Sequence, residues 1–185
     1  MKFSADFKLT FLRALTLLVP IFLLCSCGDD DDDDDIIWDM APVNVVVNIQ
    51  DAAGNNLLSP SVPGNLQGKK IVAEYQGEEY ELNWDASDRT RYYMPFFSGL
   101  TLQSGYTLSG DHLVPDQNKN YLSFGEFDGA DNQDISISLH IEGYTDSWDI
   151  TVSHRIKWKG NTPHVTNTAT LNGKNIPYDK IIITL

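Results

Sequence analysis

The chain has 185 residues, 42% apolar, 11% aromatic and 21% charged, a balance that suits one globular domain and excludes wholesale disorder. Lysine and arginine number 13 against 26 aspartates and glutamates, a formal net charge of −13. Setting aside Lys2, Lys8, Arg13, Asp6 and an aspartate run at 29–35 leaves 10 basic and 18 acidic residues from Ile36 onward, still −8; a body of that sign disfavours nucleic-acid binding and charge-driven attachment to anionic lipid.

Residues 1–13 carry three positive charges, and residues 14–24 (ALTLLVPIFLL) form an apolar run of 11. A helix needs about 20 residues to span a bilayer, so this stretch reads as a secretory signal. It ends in Leu24-Cys25-Ser26-Cys27, which resembles the bacterial lipoprotein signal, in which a small residue precedes the cysteine that is acylated and becomes the first mature residue. The resemblance implies that Cys27 carries lipid and that Cys25 leaves with the signal. The body then has no disulfide and no thiolate for catalysis or metal binding.

Behind Cys27 come Gly28 and Asp29, Asp30, Asp31, Asp32, Asp33, Asp34 and Asp35. This resembles the acidic export signal of surface-exposed lipoproteins of the Bacteroidetes, and implies an outer-membrane anchor with the body on the extracellular side. Like charges also extend the chain, so residues 28–35 span roughly 25 to 30 Å. The organisation expected is a signal peptide over 1–26, a lipidated cysteine and acidic linker over 27–40, and one domain over 41–185.

That domain shows no amphipathic helix of useful length, while period-two alternation recurs between turn-forming residues. In residues 43–50, Val43, Val45, Val47 and Ile49 form one apolar row opposed by Asn44, Asn48 and Gln50. Residues 71–75 and 80–84 flank Gln76-Gly77-Glu78-Glu79 and predict a hairpin with Ile71, Ala73, Tyr75, Tyr80, Leu82 and Trp84 on one face. A strand is expected over 90–97, with Pro95 marking a bulge or an edge. Weaker strands are expected at 106–108 and 121–127, separated by a polar loop over 110–120.

The strongest pair is 135–141 with 148–158. One face carries Ile135, Ile137, Leu139 and Ile141 against Trp148, Ile150, Val152, Ile156 and Trp158, and the other is polar. Asn172-Gly173 marks a further turn, and 180–185 a last strand. Nine or ten strands predict an all-β, antiparallel two-layer β-sandwich. The opening strand and its D-x-x-G-N-N-L turn resemble the first strand of transthyretin-like or carboxypeptidase-regulatory sandwiches, and an immunoglobulin-like arrangement is the other form considered. The chain as a whole resembles the small β-sandwich lipoproteins of gut Bacteroidetes.

Candidate chemistry is sparse. Zinc needs three or four converging ligands; strand parity puts His140 on the polar face and His154 on the apolar one, so this pair should not meet, with His140 solvated beside Asp149 or Thr151 and His154 at a strand end or sheet margin. Glu126, Asp128, Asp131, Asp134, Asp146 and Asp149 cluster near two turns, but the stretch 128–134 lacks the EF-hand spacing. No nucleophile elbow, zinc-protease motif, phosphate loop or dinucleotide fingerprint occurs. No cofactor and no metal site is therefore expected. Residues 92–97 (YYMPFF) are aromatic or apolar on both faces. If one row is exposed it is Tyr93 and Phe97, which could stack on a sugar or dock a protein. The reading is thus a noncatalytic surface module for glycan or protein ligands. The alternatives are a hydrolase of surface polymers with two carboxylates across a cleft, or a subunit of a surface or fimbrial assembly, whose sign would be an unpaired apolar edge strand near a terminus.

Overall fold

Alternation in the opening strand builds the first layer. The structure, a computed structural model, describes residues 40–84, 97–110 and 112–185. These lie in one compact unit, Asp39–Leu185. In chain order the strands are β1 (Val43–Gln50), β2 (Ile71–Tyr75), β3 (Glu78–Glu81), β4 (Leu100–Ser109), β5 (His112–Phe127), β6 (Gln133–Ile141), β7 (Ser147–Lys159), β8 (Thr162–Leu171), β9 (Lys174–Ile176) and β10 (Ile181–Thr184).

They form a four-stranded sheet ordered β10-β1-β5-β4 and a six-stranded sheet ordered β3-β2-β6-β7-β8-β9. The expected all-β, two-layer sandwich is what the chain adopts. Val43, Val45, Val47, Ile49, Leu122, Phe124, Ile181 and Ile183 from the first sheet join Ile71, Ala73, Ile135, Ile137, Leu139, Ile141, Trp148, Ile150, Val152 and Ala169 from the second in one buried cluster. Each such side chain contributes about 1.5 to 3 kcal/mol when fully buried, and the two inner rows supply enough of them to hold the layers together. Leu57, Leu58 and Leu66, in the connection after β1, add to the same cluster.

Several expectations change in detail. The β2–β3 connection is only Gln76-Gly77, at φ 54° and 83°, a two-residue turn whose twist matches that of the strands; pairing therefore resumes at Glu78 rather than Tyr80. Ala73 lies opposite Tyr80, so the expected shared face is correct. Trp84 leaves the ladder, and its indole N–H donates to the Lys69 carbonyl at 2.8 Å. The region expected as a polar loop over 110–120 is mostly strand, because β4 and β5 pair as far as Ser109 opposite His112. The strand expected over 90–97 lies outside the described residues except for Phe97.

The closing strand brings a feature that alternation does not encode. β10 pairs parallel to β1, Val47 opposite Ile181 and Ile49 opposite Ile183, while every other strand pairing among the described residues is antiparallel. At the opposite end of β1 the register with β5 slips between Val43 and Asn44. Glu126 is the extra residue of this bulge, at φ 125°. Gly125 beside it is at φ 104°, and a β-carbon there would lie 2.2 Å from the Phe127 ring.

Candidate functional site

Of the residues singled out above, Cys27, the aspartates 29–35 and Tyr93 lie outside the described residues. Phe97 is described, 37% exposed, and belongs to an aromatic group whose other members pack on or within the core. Its ring stacks on Tyr75 at 5.9 Å and meets Tyr80, Phe124 and Phe127 edge-on at 5.1, 5.2 and 5.6 Å. Such pairs are worth roughly 0.5–1.5 kcal/mol each beyond area burial, so much of this ring serves packing and only part remains free for a ligand.

The histidines separate as parity implies. His140 is exposed on the outer face of β6, but its carboxylate neighbour is Glu74, at 4.0 Å, rather than Asp149. His154 is 3% exposed, between the Gly129 carbonyl at Nε2 and the Asn167 carboxamide at Nδ1. It sits opposite Gln133, where β6 begins, which is the sheet margin expected for it.

Three of the six carboxylates near the acidic turns are held within the fold. Asp128 accepts from the Ala130 N–H at 2.8 Å, and Asp134 receives both nitrogen contacts from Arg155 Nη2, at 2.7 and 2.8 Å. Asp149 accepts from the Ser138 hydroxyl at 2.6 Å. Among the described residues no three His, Cys, Asp or Glu side chains converge as metal ligands would. An open depression of about 540 Å³ is lined by Gln67, Gly68, Glu81, Leu82, Asn83 and Trp84. Its one carboxylate, Glu81, faces Lys70 Nζ at 3.6 Å.

Among the described residues the outer half of the β4–β5 hairpin exposes a group of large apolar side chains. β1 covers β5 only from Leu122 to Phe127, and β1 runs from Val43 beside Phe127 toward Val47 beside Leu122. The hairpin tip therefore projects past the end of β1, away from the end where the chain enters at Met40. Beyond the register shift at Gln103–Gly105, Tyr106 lies opposite Pro115 and Leu108 opposite Leu113. Residues directly opposite share a face, so Tyr106, Leu108, Leu113 and Pro115 form one apolar row. Tyr106 is 55% exposed and Leu108 and Leu113 each 68%.

Polar side chains fix the root of this ribbon. Asn120, almost fully buried, donates to the Leu58 carbonyl at 3.1 Å and accepts from the Ser104 hydroxyl at 3.1 Å. Asn118 Oδ1 accepts from Ser59 and Ser61 at 3.2 and 2.7 Å, and Asn56 donates to the carbonyls of Asn118 and Asn120. Thr107 donates to Asp116 at 2.6 Å. That bond and the backbone N–H of Asn118 hold the Asp116 carboxyl below its ordinary pKa. These bonds order the root and leave the apolar row facing solvent.

Sequence patterning found the β4 side of the ribbon, the strand expected at 106–108, and missed the β5 side because burial does not select alternation in a hairpin that has left the core. The local signal on that side was Leu113-Val114, with Pro115 after them arguing against a strand. No family model, no curated protein and no solved structure matches this chain, so the fold and the ribbon stand on its own residues.

Proposed function

We propose that this chain is a lipid-anchored outer-membrane protein facing the medium, whose sandwich binds a protein or glycan ligand without catalysis. The observation that carries the reading is the ribbon: an ordered, exposed apolar row of Tyr106, Leu108 and Leu113 at the end of the domain away from Met40. Exposed contiguous apolar surface is where soluble domains meet partners. The signal-like run, Cys27 and the seven aspartates support the anchor and the outward orientation.

The test is a glycan and protein-ligand screen of the full chain beside two double variants, Leu108→Ser with Leu113→Ser and Tyr93→Ala with Phe97→Ala. Loss of binding in the first places the ligand on the ribbon, and loss in the second places it on the aromatic segment. Binding that survives both discards the two sites. For the anchor, Cys27→Ala should release the protein from membranes, and retention would argue against acylation at that residue.

A second reading, a subunit of a surface or fimbrial assembly, is favoured by β10. This strand, Ile-Ile-Ile-Thr next to the C-terminus, is an outer strand of its sheet, and Ile182 is exposed. Size-exclusion measurements of the purified chain with Ile182→Lys would test it: an assembly that survives the charge does not use this edge.

A further inference from the structure

A sheet edge is an unpaired row of N–H and C=O groups, and folded proteins guard such rows with charge, proline or brevity. The edges of this sandwich can be compared one by one. β3 carries Glu78, Glu79 and Glu81 within four residues. β9 has three residues and β10 four. The open stretch of β8 beyond β9 contains Pro163, and the open stretch of β5 beyond β1 contains Pro115.

Both prolines stand where a guard is needed. Two residues separate Ser109 from His112 and Lys159 from Thr162 in the paired registers, so those closing pairs are of the hydrogen-bonded kind and the pairs alternate from there. Tyr106–Pro115 and Trp158–Pro163 are then pairs whose main-chain groups point away from each other. Each proline removes an outward N–H.

Among the described residues β4 is the other outer strand of its sheet, and its own sequence carries no such guard. Its ten residues, LTLQSGYTLS, include no charge and no proline. The same alternation applies at its root, where Gly125 N–H donates to the Gly99 carbonyl at 3.2 Å. It turns the main-chain groups of Leu100, Leu102, Tyr106 and Leu108 outward. Among the described residues only Lys119 reaches this row, its Nζ donating to the Tyr106 carbonyl at 3.0 Å.

We propose that β4 is a docking edge for an extended segment of another polypeptide, which adds beside Leu100–Ser109 as a fifth strand of that sheet. This rests on the binding-module reading and names its partner class. Alternating donors and acceptors at strand spacing are matched by an extended main chain and not by a sugar ring. The row Tyr106 and Leu108, with Leu113 across the ribbon, gives every second side chain of the incoming strand an apolar contact. The body's formal charge of −8 disfavours an acidic strand, so the partner's docking strand is neutral or basic.

The probe is an uncharged, capped decapeptide alternating threonine and valine, added to the full chain. Hydrogen exchange should slow at Leu102, Tyr106 and Leu108, and Leu108→Pro should weaken binding roughly tenfold or more by removing an outward donor. Leu108→Ser, which keeps that donor, should weaken it only a few-fold. Protection at β10 instead of β4, no binding at all, or equal binding by wild type and Leu108→Pro overturns the proposal. If Leu108→Pro fails to fold, the wild-type exchange map decides alone. Ligands from the screen that are lost with Leu108→Ser and Leu113→Ser but indifferent to Leu108→Pro would keep the binding module and overturn strand addition.

Discussion

His154 Nε2 lies 3.0 Å from the carbonyl oxygen of Gly129, and this bond fastens β7 to the link between β5 and β6. The imidazole is buried, so its hydrogen bonds cannot be replaced by water without opening the end of the sandwich. The other ring nitrogen, Nδ1, lies 2.6 Å from the Asn167 carboxamide, so both nitrogens of the ring are engaged. On its other side Gly129 packs against the main chain before β1, where a β-carbon would collide with the Ala41 carbonyl oxygen. Replacing His154 by alanine leaves a buried carbonyl and a carboxamide unpaired and opens a cavity. The expected loss is about 2 to 4 kcal/mol, read from urea unfolding. A loss under about 0.5 kcal/mol would show that this bond does not hold the link.

The ribbon depends on a second close approach. A β-carbon at Gly105 would sit 2.5 Å from Lys119 Cβ and 2.8 Å from the Lys119 carbonyl oxygen. The oxygen belongs to the main chain, so it cannot swing aside as a side-chain tip could. Gly105→Ala should cost about 1 to 3 kcal/mol or shift the register of the ribbon. Amide exchange over residues 105–116 should quicken while exchange in β6 and β7 stays slow. Unchanged exchange in the ribbon would contradict the packing described for its root.

Three carboxylates make acid stability predictable in sign. The side-chain amide of Asn55 lowers the pKa of Asp51, with backbone N–H groups adding to it. The Thr107 hydroxyl does the same for Asp116, and the Ser153 hydroxyl, followed by Arg155, for Asp134. A folded-state pKa below the unfolded value of about 3.8 means that the unfolded chain takes up the proton first. The stabilisation is therefore complete above that value and disappears as pH falls through it toward the lower folded-state values. Urea midpoints should be level between pH 5 and 7 and fall below about pH 4. Changing Asp51, Asp116 and Asp134 together to asparagine should flatten that fall; an identical acid limb in the triple variant would refute the assignment.

What patterning revealed and what it missed follow from where burial acts. The row Val43, Val45, Val47 and Ile49 and the row Ile135 to Ile141 were legible because each strand has one buried face, which forces a period of two. The β2–β3 turn was misjudged by two residues because Gln76, a non-glycine at φ 54°, gives no local signal for that conformation. The parallel seat of β10 on β1 joins residues some 134 positions apart, as Gln50 and Thr184 show. Strand patterning carries no information about that pairing. The candidate site suffered most, since the ribbon has neither face buried and its apolar residues alternate against nothing.

The far end of β7 offers a direct check on where the core stops. Ile156 and Trp158 share a face by parity, yet Ile156 is buried and Trp158 is 57% exposed. The last pair between β7 and β6 is His154 with Gln133. Ile156 is the next residue on that face, and its N–H is held by Asn132 Oδ1 at 2.5 Å. Trp158 lies past that cap, with Pro163 of β8 as its cross-strand neighbour. The sequence expectation that Trp158 joins the apolar row is thus right in face and wrong in depth, because the opposing layer ends before it. Ile156→Ala should cost about 2 to 4 kcal/mol as a buried truncation. Trp158→Ser should cost less than about 1 kcal/mol, the scale of a single exposed cross-strand pair. Paired urea titrations measure both; comparable losses would mean that the core extends to the hairpin tip and that Trp158 is covered in solution.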